Sequence, residues 1–333
     1  MKLQILVPQY KETDAEIKPL LDSIALQQNV NFDDVGVIIC NDGSDVFLSH
    51  SLLDQYPYQI EYHKEEHRGV SATRNACLDY ADAEYVMFCD ADDMFMNACG
   101  LWIIFREMIE GFDGIVSVFV EETKDPKTME KIYVNHDNDV TFVHGKIYRR
   151  EYLLRKNIKF NPDLQIHEDS YFNVLARSCS SNMKYCQVPF YLWRWRDDSV
   201  CRHDPKYILK TYKDMLKSSG ALTNELQRRH MNDDARFYTL TMVFDAYYTM
   251  NKPEWIDQEN QDYRDETEKA FSVYFKERKS IWEQATPTEQ MLISNTIRTR
   301  SVSEGMQMET VTIEEWLRHV ETLGDNDEFD SAR

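Results

Sequence analysis

The sequence predicts an α/β fold in which a mostly parallel β-sheet is flanked by helices, followed by an all-α C-terminal domain. Three observations carry this. Short apolar runs alternate with helix-period segments over residues 1–120, which is the pattern of βαβ units. Polar residues cluster just after the strand-like runs, where open α/β sheets hold their ligands. From Asp204 onward only helical periodicity remains.

Taken in order, Leu3–Val7 reads as a buried strand and Asp14–Gln28 as a helix. Val35–Cys40 is a second strand, and Tyr58–His63 alternates like a third. Ser71–Tyr80 is helical, Tyr85–Cys89 a strand, Leu101–Glu110 a helix and Gly114–Val120 a strand. Lys131–Val134 and Val140–Val143 suggest a hairpin, Arg149–Lys156 and Asp169–Ser178 are helical, and Met183–Trp195 contains short strands. Beyond Asp204 the helices run over Tyr207–His230, Ala235–Met250, Asp262–Ala285, Pro287–Arg298 and Ile313–Leu323. Thr286, Pro287 and Glu289 together spell a helix start: a cap, a first-turn proline and the return arm of a capping box. This divides the chain into a domain over residues 1–204, a helical domain over 205–324 and an acidic flexible tail over 325–333.

The formal net charge of the 333 residues is −20, which argues against a nucleic-acid duplex or an anionic membrane surface as main partner. A local basic groove would override that argument. The seven cysteines form no CxxC pair, and Cys40 and Cys89 sit inside apolar runs, as buried thiols do in a reducing compartment. The N-terminal run is too short for a signal peptide and no apolar run approaches the ~18 residues of a membrane span. A cytoplasmic location is expected.

Four clusters carry the chemistry. Asp90-Ala91-Asp92, just past a buried strand, sets two carboxylates where one hard cation, Mn²⁺ or Mg²⁺, can be held together with substrate phosphates. A solvated turn would read the same way, and Asp93 leaves the ligating pair open. Asn41-Asp42-Gly43-Ser44 ends a strand in a carboxylate and a tight turn, suited either to a nucleotide's base or ribose or to capping the next helix. Arg68-Gly69-Val70-Ser71-Ala72-Thr73-Arg74-Asn75 opens a helix with a glycine that lets a ligand approach. His167-Glu168-Asp169 places an acidic pair at a helix N-terminus, where carboxylates also serve as caps.

Val7-Pro8-x-Tyr10, Asn41-Asp42-Gly43-Ser44, Arg68-Gly69-x-Ser71-x-x-Arg74-Asn75 and Asp90-x-Asp92-Asp93, in this order, resemble the glycosyltransferases of family 2, which have the GT-A fold. The resemblance covers residues 1–204. It implies a Rossmann-like mixed sheet that binds a nucleotide-sugar donor, a UDP-sugar first among them. It implies that Pro8, Tyr10 and Asp42 line the nucleoside pocket, that Arg68, Arg74 and Asn75 shape the donor site, that Asp92 ligates the metal and that Asp90 lies nearer the ribose or sugar while sharing the metal. Asp169, beside Glu168, matches the family's base for an acceptor hydroxyl in an inverting reaction; His167 stands where the family usually has glycine. Tyr191-x-x-Arg194-x-Arg196-x-x-Ser199 resembles the end of the family's catalytic domain, with Arg194 or Arg196 on the diphosphate and Ser199 on a closing loop. His203 is a candidate further metal ligand, and His144-Gly145-Lys146 a turn near the acceptor. The Gln-x-x-Arg-Trp motif of processive members is absent.

The expected activity is therefore metal-dependent transfer of a sugar to a hydroxyl of a glycan or polymer. Two other functions compete: a non-catalytic sugar- or partner-binding module on the same scaffold, and transfer to modified nucleic acid. A nucleotidyltransferase would need a glycine-rich phosphate loop after the first strand, where Pro8–Thr13 has no glycine. The lysine-bearing first helix of the C-terminal domain, with Lys206, Lys210, Lys213 and Lys217, is open as solvated surface, acceptor platform, homo-oligomer interface or contact with an anionic polymer.

Overall fold

The computed structural model describes the chain except residues 126, 198, 200–203, 205, 304–310 and 331–333, together with the side chains of 254, 300–303 and 324–330. It forms two compact units, Met1–Ser199 and Val200–Arg333.

In the first unit β1 (Leu3–Gln9) and β2 (Val35–Asn41) are apolar on both faces, and nearly every side chain is buried. Strands of that kind belong in the centre of a parallel sheet covered on both sides. The two pair in parallel, with β3 (Gln59–Lys64) beyond β2 and β4 (Tyr85–Phe88) on the other side of β1, also parallel. The order 3-2-1-4 is built by crossovers through α1 (Asp14–Ala25), the short α2 (His50–Leu53) and α3 (Val70–Tyr80). The sheet then turns mixed. Strand β8 (Lys146–Arg149) lies antiparallel to β4, β6 (Gly114–Lys124) antiparallel to β8, β9 (Met183–Trp193) parallel to β6, and β5 (Met94–Phe95) antiparallel to β9. Helix α4 (Gly100–Met108) precedes β6, and α5 (Arg150–Arg155) and α6 (Glu168–Ser178) lie between β8 and β9. One core of Leu3, Ile5, Val7, Ile17, Leu20, Val37, Ile39, Met87, Ile104 and Phe190 holds these layers.

Three expectations change. The segment Lys131–His136, β7, pairs with β6 and not with 140–143. Strand β6 runs to Lys124 and gives β7 a partner, while the Asp139 carboxylate accepts from the Thr141 and Phe142 amides and turns 139–142 into a loop. Second, Met183–Trp193 is a single strand whose register against β6 shifts between Ser117 and Phe119. Pro189, which has no N–H to give, falls in the stretch the shift leaves unregistered. Third, the acidic 325–330 stretch is the continuation of a helix that runs to Asp330. Extending an existing helix needs no new nucleus.

The second unit contains α7 (Tyr207–Arg228), α8 (Asn232–Thr249), the short α9 (Pro253–Ile256), α10 (Gln261–Gln284), α11 (Pro287–Ser303) and α12 (Ile313–Asp330). Its core is aromatic: Tyr212, Phe244, Trp255, Phe271 and Trp316. Phe237, on α8, is half exposed. Thr286 and Glu289 form the capping box at the head of α11. No helix among the described residues is long and apolar enough to cross a membrane.

Candidate active site

The site lies at the carboxyl ends of β1, β2 and β4. Strand β2 delivers Asp42, which is buried, and its carboxylate ties down the loop that begins α3. Oδ1 accepts from the Arg68 amide at 2.9 Å, Oδ2 accepts from the Gly69 amide at 3.0 Å, and His67 Nδ1 lies 2.9 Å from Oδ2. His67 in turn stacks on Tyr10, with centroids 4.7 Å apart. Tyr10 follows β1 and Pro8, is 42% exposed, and has Lys11 Nζ 4.9 Å from its ring centroid. Gly69 has φ +87°, and a Cβ there would lie 2.5 Å from Gln165 Oε1, so this position needs glycine.

The first turns of α3 bind the 158–168 segment. Ser71 Oγ donates to the Leu164 carbonyl at 2.9 Å. Asn75 donates to the Phe160 carbonyl and accepts from the Phe160 amide, each at 2.9 Å. Asn75 thereby ties α3 to the segment at Phe160. The Arg68 guanidinium is 61% exposed, 3.7 Å from Glu65.

Arg74 is the hinge of the site. Almost wholly buried, it donates through Nη1 to Glu168 Oε1 at 2.6 Å and through Nη2 to Asp90 Oδ1 at 2.9 Å, beneath the Phe160 ring. A buried guanidinium needs such partners. Burial raises the Asp90 carboxyl, but the Arg74 charge and hydrogen bond, together with the charge of His144, bring it below its usual range. Arg74 thus links Asp90 at the end of β4 to the head of α6.

At that head His167 adopts the left-handed conformation, φ 60° and ψ 20°, which explains why glycine suits the position and why histidine there is strained. Asp169 is half-buried, and its Oδ1 accepts from the Ser170 amide at 2.7 Å. Burial, and then the Glu168 charge, raise its carboxyl to about 7, against the pull of Arg74. A carboxylate poised there is a competent base near neutral pH.

The three aspartates after β4 divide by burial. The Asp90 and Asp92 side chains are each 31% exposed. Asp93 is 1% exposed: Oδ2 accepts from the Tyr191 hydroxyl and Oδ1 from the Arg194 amide at 2.9 Å. Its job is to hold the end of β9 against the loop. His144, read from the sequence only as part of a turn near the acceptor, lies buried among Phe119, Phe142, Tyr191 and Trp193. Burial pushes its imidazole down to about 3. Its Nδ1 has no hydrogen-bond partner among the described residues and lies 3.8 Å from Asp93 Oδ2, so Asp90, Asp93 and His144 could together surround an ion. Asp93 would first have to give up Tyr191, whereas Asp90 Oδ2 has no hydrogen-bond partner among the described residues. Asp92 lies outside this group of three. His203 lies outside the described residues.

After β9 the chain returns over these carboxylates. Arg194 Nη1 donates to the Asp92 carbonyl at 3.0 Å, and Arg196 Nη1 donates to Asp92 Oδ2 at 3.0 Å. Arg196 also reaches Glu16 of α1 at 3.4 Å. The Ser199 amide donates to the Arg196 carbonyl at 3.3 Å. That a side-chain cation sits on Asp92 indicates that a positive charge fits there. Burial, then Asp90, raises the Asp92 carboxyl, and burial lifts nearby Glu12 to about 7.

The family described as glycosyl transferase family 2 has a model that matches residues 4–178. Among curated proteins the chain is similar to EpsH of Bacillus subtilis (strain 168), 23% identical over 245 residues, 67% of this chain and 69% of EpsH. It is also similar to the minor teichoic acid biosynthesis protein GgaB of the same strain, 30% identical over 215 residues, 58% of this chain but 23% of GgaB. Among solved structures it resembles residues 1–349 of S. aureus TarS in complex with UDP, with a TM-score of 0.63, 16% identity, and coverage of 98% of this chain and 92% of that one. The same TarS fragment is also known in complex with UDP-GlcNAc, with a TM-score of 0.62. At this identity the likeness to TarS is one of fold.

Proposed function

The chain belongs to glycosyl transferase family 2, and from that premise we propose that it is an inverting, metal-dependent enzyme that transfers a sugar from a UDP-sugar to a hydroxyl of a glycan or polymer. The observation that carries this is the ion chain Asp90–Arg74–Glu168, which ends beside Asp169. It couples the donor's carboxylates to a base of raised pKa through one buried guanidinium. The TarS complexes with UDP and UDP-GlcNAc support the donor class, and the teichoic acid biosynthesis named for GgaB supports a polymer acceptor.

In this reading Tyr10 supplies a face for the base, and Asp42 fixes the loop that borders the nucleoside. Asp90 and Asp92 would hold Mn²⁺ or Mg²⁺, which when bound stabilises the charge of the departing diphosphate. Arg194 and Arg196 add positive charge on the same side. Asp169 takes the proton of the acceptor hydroxyl as its oxygen bonds to the anomeric carbon. The bond from that carbon to the diphosphate oxygen breaks, UDP leaves, and the configuration inverts. Glu168 and Arg74 orient the base. The test is NMR of the product formed from an α-linked UDP-sugar: a β-linked product, lost in Asp169→Asn, is expected. An α-linked product, or full turnover by that variant, would remove inversion or the base.

A further inference from the structure

The mechanism leaves unexplained why Arg196 lies on the metal carboxylate. Its guanidinium bridges Asp92 Oδ2 at 3.0 Å and Glu16 Oε1 at 3.4 Å, and the Glu12 carboxylate adds to the negative field around it. Glu16 is already fixed from its other oxygen, because Oε2 accepts from both the Thr13 amide and the Thr13 hydroxyl at 2.8 Å. The capping box of α1 therefore holds Glu16 rigid, with Oε1 turned to Arg196. Both ends of the Arg196 contact are only partly exposed, 26% for the arginine and 31% for Asp92.

We infer that Glu16 is a positioning residue that, with Asp92, parks Arg196 where the divalent cation binds, so that the enzyme takes up its metal and its nucleotide diphosphate together. The inference rests on the proposed use of Asp92. A metal ion arriving alone must displace a guanidinium from Asp92 and leave that cation facing another cation, which is costly where both are half-buried. A metal ion arriving with a diphosphate gives the displaced Arg196 a new anionic partner, to which guanidinium is well matched. Arg196 thus trades one anion for another. The exchange lets Arg196 hold Asp92 to Glu16 without competing against the loaded donor. It also gives the N-terminal turn of α1, outside every motif of the sequence, a part in donor binding.

The test is calorimetric titration with MnCl₂ alone and then with UDP plus MnCl₂, on the wild-type chain, Arg196→Gln and Glu16→Gln. Glutamine at 16 still closes a capping box, so α1 keeps its start. Without nucleotide, both variants are expected to bind Mn²⁺ about three- to tenfold more tightly than wild type, the range set by a partly exposed charged contact. With UDP present the order reverses for Arg196→Gln, which binds the metal–nucleotide pair more weakly than wild type. A merely structural arginine would not give opposite signs in the two titrations. Unchanged or weaker Mn²⁺ binding in both variants, at unchanged melting temperature, overturns the inference. So does the absence of Mn²⁺ binding by all three proteins. If wild type binds Mn²⁺ but UDP does not tighten it, the donor reading fails, while the MnCl₂ comparison still decides whether Arg196 is parked.

Discussion

The base assignment makes a quantitative prediction about pH. Burial and the Glu168 charge raise the Asp169 carboxyl to about 7, while Arg74 opposes them. Only the ionised form accepts a proton, so kcat/KM should rise with pH up to about 7 and then level. About a tenth of the enzyme carries the active form at pH 6 and about a hundredth at pH 5, one decade per unit. Stability moves the other way. A folded-state pKa raised above the unfolded value favours the protonated native state, so this group's stabilising contribution is present at low pH and is lost as pH rises through about 7. In Glu168→Gln the charge that raises Asp169 is gone, and the acid limb should move to lower pH. In Asp169→Asn turnover should fall by about 10²- to 10⁴-fold at every pH, the usual worth of a general base. The assay is UDP release from pH 5 to 8.5 at constant ionic strength. A flat profile across pH 5.5–8, or an acid limb in Glu168→Gln that stays in place, would refute the reasoning.

Two predictions concern the frame. Arg74→Ala strands Asp90 and Glu168, its partners at 2.9 and 2.6 Å, and should cost about 3–5 kcal/mol in urea unfolding; a loss under 1 kcal/mol would mean that the triad is not buried as described. Gly69→Ala puts a Cβ 2.5 Å from Gln165 Oε1 at φ +87° and should destabilise by about 1–3 kcal/mol, with weaker UDP binding because the Asp42-tethered loop shifts. Unchanged UDP affinity would separate that loop from the nucleotide.

The strands β1, β2 and β4 were legible because full burial on both sheet faces leaves unbroken apolar runs, and the polar clusters after them mark the strand ends where a site forms. The partners of those polar residues were not legible, since they depend on long-range placement. Asp42 reads either as a nucleotide ligand or as part of a turn, and the sequence does not show that its carboxylate holds the Arg68 and Gly69 amides. Nor does the sequence show that Asn75 clasps Phe160, far along the chain. The link from Arg74 to Glu168 joins two motifs that the sequence keeps 94 residues apart. The value of glycine at position 167 becomes clear only from a left-handed backbone. His144 was legible as part of a turn with Gly145, whose φ is +68°, but nothing local signals that it packs beside Asp93. The hairpin expected from 131–143 failed because the period-2 pattern does not name a strand's partner.

The most direct test of the account is the calorimetric titration of UDP with and without Mn²⁺ on the wild-type chain and on Asp92→Asn. The account predicts that UDP binds wild type tightly only with Mn²⁺ present, and that Asp92→Asn loses this metal-dependent gain. Equal UDP affinity with and without Mn²⁺, or a gain preserved in Asp92→Asn, would contradict it.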